Sequence, residues 1–277
     1  HGRSVMVKLD GTLVLLGAGK MGGAMLEGWL KGGADPRKIV AFDPAPPPEM
    51  KALLATHGIR HNPSVASIKD AEVLVVAVKP QLMEEALPGI VPLKASRPLV
   101  LSVAAGKTIA YFEARFGTDA AVVRTMPNTP AAVGRGITAM VANPNVSAQQ
   151  AELARTLLGA VGDVVTVDRE GLIDAVTGVS GSGPAYVFYL TECLAAAGEK
   201  AGLPADIAMK LARATVSGAG ELMRVTGTEA ATLRQNVTSP KGTTYAALQV
   251  LMSDNGLQPL MDQAVAAATN RSRELAS

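Results

Sequence analysis

A succession of short, continuously apolar runs constrains this chain more than any other feature. TLVLLG, KIVAFD, EVLVVAVKP, PLVLSVAAG, AAVVRTMPN, GITAMVA and GDVVTV follow one another before residue 168, and helical stretches separate many of them. A strand with one wet face alternates apolar and polar residues, whereas a strand covered on both faces does not. The runs therefore predict an α/β, doubly wound sheet with helices on both sides. Composition agrees: 48% of residues are hydrophobic but only 3% aromatic, so Val, Leu, Ile, Met and Ala must build the core.

The first run leads into GAGKMG, which places glycines at 17, 19 and 22, with Ala18, Lys20 and Met21 between them. In a strand–turn–helix setting the first glycine permits the tight turn. The second lets backbone approach a pyrophosphate, and the third lets helix and strand pack closely. The helix N-terminus then faces the anion. Asp43 closes the second run, about 20 positions further on, where a carboxylate binds ribose hydroxyls and repels a 2′-phosphate. Taken alone, it favours NAD over NADP. AVKP (Ala77, Val78, Lys79, Pro80) and VAAG (Val103, Ala104, Ala105, Gly106) end two further strands and are expected to border the ribose and nicotinamide. RTMPNTPAAVGRG is a loop punctuated by two prolines and an Asn where such a fold places its reacting carbon.

From about Asp168 the β-branched runs stop. AYVFYLTECLAAAGEKAG, ADIAMKLARATVSGAGELMRV, TEAATLRQNV, GTTYAALQVLMSDNG and LQPLMDQAVAAATNRSREL read as helices rich in Ala and Gly. A chain of 277 residues exceeds the usual domain length of about 100–150 residues. The reading is a Rossmann-type domain over residues 1–167 and an all-α domain over 168–277, with surplus apolar surface buried between subunits. Two glycine- and hydroxyl-rich helix starts stand out in the second part. Ser180, Gly181, Ser182 and Gly183 form a loop before Pro184, and Thr238 and Ser239 are cap candidates before Gly242, Thr243 and Thr244. The first amides of a helix lack internal partners and can hold a carboxylate. Two such starts suggest opposed walls around a small acid.

Other classes find little support. A net charge of +2 without runs of like charge gives no reason to expect nucleic acid or membrane partners, and no apolar run reaches the ~18–20 residues of a membrane span. LVLLGAG imitates a signal peptide only faintly and has no cleavage pattern, HGRSVM reads as an irregular terminus, and a cytoplasmic location is expected. The single cysteine, Cys193, excludes an internal disulfide and reads as a small core residue. His57 and His61 are four apart, but Gly58 and Pro63 interrupt a helix there, so they read as surface residues and no metal is expected.

In their order, AVKP, RTMPNTP, DAVTGVSGSGPAYVFYL and SPKGTT resemble the pyrroline-5-carboxylate reductase family, and the resemblance runs from GAGKMG almost to the C-terminus. It implies a Rossmann domain, a helical domain that dimerises, often with further assembly, and reduction of Δ1-pyrroline-5-carboxylate to L-proline by NADPH or NADH. It also implies dinucleotide contacts at Gly17 to Gly22, Asn62, Ala77 to Pro80, Val103 to Ala105 and Asn236. Implied substrate contacts fall on Glu170, Ser180 to Gly183, Thr243 and Thr244, with the Thr244 hydroxyl fixing the ring. A protonated imine is already electrophilic, so the proton can come from water or from Glu170. Two departures stand out: many relatives have a small polar or basic residue where Asp43 stands, and Lys241 interrupts what is often SPGG. A β-hydroxyacid dehydrogenase would need a lysine where Val187 stands. A non-catalytic nucleotide-binding protein would have no use for a carboxylate clamp.

Overall fold

The computed structural model describes residues 6–277; HGRSV, within the stretch read above as an irregular terminus, lies outside the described residues. One sheet contains β1 (Thr12–Leu16), β2 (Ile39–Phe42), β3 (Arg60–His61), β4 (Ala71–Val76), β5 (Leu99–Ser102), β6 (Ala121–Met126), β7 (Gly136–Ala142) and β8 (Gly162–Thr166). Their order is β3-β2-β1-β4-β5-β6-β7-β8. Neighbours are parallel except β6 and β7, which are antiparallel. The stretch 127–135 between those two is shorter than the dozen or more residues a parallel crossover needs. The winding direction reverses between β1 and β4, where open α/β sheets bind ligands beyond the strands' carboxyl ends.

The helices of this part are α1 (Lys20–Lys31), α2 (Pro48–His57), α3 (Met83–Ala86), α4 (Ile109–Phe116), α5 (Ala148–Gly159) and α6 (Ile173–Val176). Successive strand residues feed opposite cores, as the two-residue repeat of a strand requires. Leu13 and Leu15 join Met25, Trp29, Leu54 and Leu157 from α1, α2 and α5. Val14 and Leu16 join Met83, Leu87 and Phe112 on the other face. Every residue of β1 is buried, in accord with its unbroken apolar run. The exposed two-residue β3 carries no such run and gave no sign of itself in the sequence.

The chain divides into two compact units, one running through Gly181 and including Thr269–Ser277, the other Ser182–Ala268. This differs from the 167/168 boundary read from the end of the last β-branched run. Residues 168–181 stay with the sheet because Ile173 is buried in its second core and Glu170 pairs with Arg124 of β6. The chain's last residues return to the same unit: Ser272 Oγ donates to Asp174 Oδ1 at 2.7 Å, Ser277 N to Gly106 O at 2.9 Å, and Thr108 N to Ser277 O at 2.9 Å.

The second unit holds α7 (Gly183–Lys200), α8 (Ala205–Thr226), α9 (Ala230–Asn236), α10 (Thr243–Leu251) and the first part of α11 (Leu257–Leu275). α7 packs on α8 through small residues, with Ala195, Ala208 and Ala212 buried. Much larger side chains stay outside this packing; Phe188 is 63% exposed, Tyr189 66% and Val250 70%. Cys193 is exposed on α7, not in a core as expected, because α7 buries only its Ala-lined side within its own unit.

Candidate functional site

At the end of β1 the chain turns sharply at Gly17, whose φ is +95°. A Cβ there would stand 2.9 Å from the backbone of Ala77 and Val78. A Cβ on Gly22 would stand 2.1 Å from Gly17 O, so only glycine lets α1 begin this close to β1. Gly19 differs, because a Cβ there would meet nothing within 4 Å. Gly19 is the N-cap of α1 and brings no side-chain cap, and Lys20 and Met21 open the helix. Open space beside a glycine and uncapped amides form a cradle suited to a pyrophosphate. The residues present thus fit a dinucleotide.

Asp43 Oδ2 accepts from Ala18 N at 2.8 Å and its Oδ1 from Ala45 N at 2.9 Å. The carboxylate therefore holds the glycine turn as well as standing at the end of β2. Asn62, at φ +53°, donates from Nδ2 to Asp43 O at 2.9 Å and accepts from Asp43 N at 2.9 Å. Ala77 N donates to Leu16 O at 2.8 Å, and Val103 N to Val76 O at 3.0 Å. Ala77, Val78, Lys79, Pro80 and Val103, Ala104, Ala105 thus follow neighbouring strands β4 and β5, beside the glycine turn that follows β1. Behind them α4 is pinned at Tyr111, whose hydroxyl donates to Glu84 Oε1 at 2.8 Å. That bond holds the Glu84 carboxyl below its usual range, while burial and Glu84 push the Tyr111 hydroxyl up.

Glu170 is already engaged. Its Oε2 accepts from Ile109 N at 2.8 Å and from Arg124 Nη1 at 2.9 Å. Ser180 and Gly181 lie in a π-helical turn, Thr177–Gly181, and not in the loop expected from SGSG. α6 continues through that turn, and α7 begins at Gly183 after Ser182, whose carbonyl accepts from Ala185 N at 3.0 Å. From the sequence alone Arg124 has no role and Asn128 reads only as punctuation of the loop after β6, so their contacts with Glu170 and Ser180 were missed. A lone charge inside the apolar run AAVVRTM was the available clue, since a buried cation needs a partner.

In the second unit α10 begins after Gly242 without a side-chain cap. Thr238 and Ser239 do not cap it: Thr238 Oγ1 donates back to Arg234 O at 2.6 Å, and Ser239 O accepts from Gly242 N at 3.0 Å in the intervening turn. Among the described residues neither Thr243 nor Thr244 forms a side-chain hydrogen bond, so both hydroxyls are available to a ligand. Lys241 has φ +58°, a left-handed conformation that favours glycine. Asn236, the last residue of α9, belongs to this unit and not to that of the glycine turn.

Two family models match the chain. One, described as pyrroline-5-carboxylate reductase dimerisation, covers residues 170–275, and the other, NADP oxidoreductase coenzyme F420-dependent, covers residues 12–106. The chain is 41% identical to a pyrroline-5-carboxylate reductase of Pseudomonas aeruginosa over 95% of its own length and 96% of the relative's. Its fold matches the structure of a pyrroline-5-carboxylate reductase from Coxiella burnetii with a TM-score of 0.90 at 34% identity, covering 97% of this chain and 100% of the other. A Plasmodium falciparum pyrroline carboxylate reductase with NADP bound matches with a TM-score of 0.78 at 27% identity, covering 97% and 99%.

The glycine geometry makes a separable test. Gly19→Ala should fold with a loss of no more than about 1 kcal/mol, the scale of an N-cap change. Its new methyl occupies the cradle, so dinucleotide affinity by fluorescence titration should fall about ten-fold or more. Unchanged affinity would remove Gly19 from the binding site.

Proposed function

The chain belongs to the pyrroline-5-carboxylate reductase family, and from that membership we propose that it reduces Δ1-pyrroline-5-carboxylate to L-proline with NADPH or NADH. The observation that carries this reading is the 41% identity extending over almost the whole of both chains. The bound dinucleotide supplies a hydride to the carbon of the substrate's C=N bond. Gly17, Ala18, Gly19, Lys20, Met21 and Gly22 receive its pyrophosphate, Asp43 its ribose, and the turns after β4 and β5 its remaining length. Asn62 supports the end of β2, and family membership adds Asn236 to the residues that would contact the dinucleotide.

The substrate carries a carboxylate and a protonated imine, so this chain has chiefly to neutralise one and orient the other. The uncapped amides at the start of α10 suit the carboxylate. Thr244, with its hydroxyl uncommitted, fixes the ring by a hydrogen bond, and Thr243 stands beside it. Ser180, Gly181, Ser182 and Gly183 border the same acid. The two donors on Glu170 Oε2 make that carboxylate an anchor of its segment, which favours water as the source of the proton on nitrogen. Substrate and donor must come within about 3–3.5 Å for transfer.

Asp43 supports NADH as a usable donor. Steady-state imine reduction with each donor tests the function itself, and no turnover with either would refute it. Asp43→Ser should lower activity with both donors, since it releases Ala18 N, yet shift the kcat/KM ratio toward NADPH. An unshifted ratio would show that Asp43 does not read the 2′ position.

The enzyme works as a homodimer or a higher homo-oligomer, as the large apolar residues left uncovered on the helical unit support. Light scattering at low micromolar concentration should give at least a dimer; a stable monomer would contradict this.

Thr244→Val keeps the side chain's shape and removes its hydroxyl. The variant should melt like the parent and bind the dinucleotide normally, but lose roughly ten-fold or more in kcat/KM for the imine. That follows from one hydrogen bond to a charged group, about 1.5–3 kcal/mol. Near-normal kcat/KM would take Thr244 out of the mechanism.

A further inference from the structure

β6 and the residues just past its end touch segment 170–181 at three places. Val122, Arg124 and Met126 alternate along β6 and face the same core, and Asn128, also extended (φ −144°, ψ 165°), continues the alternation past the strand's end. The Arg124 side chain is 5% exposed and donates to Glu170 Oε2 at 2.9 Å. A Cβ on Gly181 would stand 2.6 Å from Met126 Cε, the movable end of a flexible side chain, so Met126 packs against the turn at Gly181. Asn128 Nδ2 donates to Ser180 O at 3.1 Å, while its Oδ1 accepts from Ile137 N at 2.9 Å.

Two of these contacts, at Ser180 and Gly181, fall on the C-terminal end of the π-helical turn Thr177–Gly181, and the third holds Glu170 upstream of it. A π turn is a widened, rarely populated form of helix that occurs mostly as a single turn and is frequent at functional sites. Arg124, itself buried, fixes the segment's start through a charge-assisted bond to the partly exposed Glu170 carboxylate. Asn128 spans the beginning of β7 and the turn, so the turn's position is referred to the sheet at two places.

We propose that Arg124 and Asn128 are positioning residues for the reduction: acting through Glu170 and the Ser180 carbonyl, they hold the turn that presents Ser180 and Gly181 to the substrate. This rests on the proposed function, since it takes Ser180 and Gly181 to border the substrate. Neither Arg124 nor Asn128 needs to touch the imine or the dinucleotide.

The decisive variant is Asn128→Asp, which keeps the size and the acceptor for Ile137 N but sets an oxygen against Ser180 O. Losing one hydrogen bond shifts an equilibrium about two- to ten-fold. KM for the imine should therefore rise about five-fold, with dinucleotide affinity within about two-fold of wild type. Arg124→Met should act likewise, and Arg124→Lys, which keeps the cation, should recover part of the loss. Hydrogen exchange, which needs no turnover, should speed up at residues 177–182 in Asn128→Asp and Arg124→Met. Wild-type imine KM and exchange in both folded variants would overturn the proposal. So would an equal loss of both ligands together with a lowered melting temperature that lysine does not rescue, the result of a merely structural role. If the wild type fails to reduce the imine, the function falls, and exchange at 177–182 alone decides whether the anchoring stands.

Discussion

The fold depends on how closely α1 starts over the end of β1. With Gly17 O only 2.1 Å from where a Cβ on Gly22 would stand, any larger residue would push the helix away from the strand. That closeness turns Ala18 N toward Asp43 at the end of β2 and lays Gly17 against Ala77 and Val78 after β4. The carboxyl ends of three neighbouring strands are thus tied through one turn. Because the winding reverses between β1 and β4, that turn also stands where such sheets take their ligands. Packing and binding share the same glycines, and only Gly19 is spared a packing duty.

Helix starts differ in how their first amides are satisfied. α4 and α5 are capped by their own side chains, Thr108 accepting from Tyr111 N and Ser147 from Gln150 N. Ile109, the first residue of α4, gives its amide to Glu170. α1, α7 and α10, the helix starts that carry the candidate residues, have no side-chain cap, and α2, α8 and α9 also lack one, so a missing cap does not by itself mark a binding site. Orphan amides at a helix start are satisfied by side chains, water or ligands. In α4 and α5 the chain supplies the side chains, so those helices serve the scaffold.

Buried charge marks the other constraint. Arg124 lies in a strand otherwise built of apolar and small residues, and leaving its cation unpaired there would cost several kcal/mol. Glu170 meets that need and at the same time accepts from α4. The link holds the start of the segment leading into the helical unit to the middle of the sheet, which is why the compact units part at Gly181 and not at the last strand. The helical unit, by contrast, holds itself together through small residues and leaves its large apolar ones outside.

Much of this was legible along the chain. The apolar runs marked seven of the strands, the glycine spacing marked the turn after β1, and the end of the β-branched runs together with Ala-rich stretches marked the long helices. Each of these follows from local backbone geometry or from the repeat of strand and helix, which neighbours in sequence determine. The similarity of its motifs to one family carried the function, which no local rule could supply. What the sequence did not disclose depends on partners far along the chain. Asp43 was read as a ribose ligand, but its role as a brace for Ala18, 25 residues before it, was not visible. Arg124 finds Glu170 46 residues away only because β6 lies beside β5, whose exit leads to α4. Ser180 and Gly181 read locally as part of a loop, since Ser and Gly are poor helix formers, but they belong to a π turn that Asn128, beyond the end of β6, bonds at Ser180. Cys193 sits on an apolar helix but is exposed, because which side of a helix is covered depends on what packs against it. Local geometry determined the elements and the cradle; the order of strands in the sheet decided which distant side chains meet.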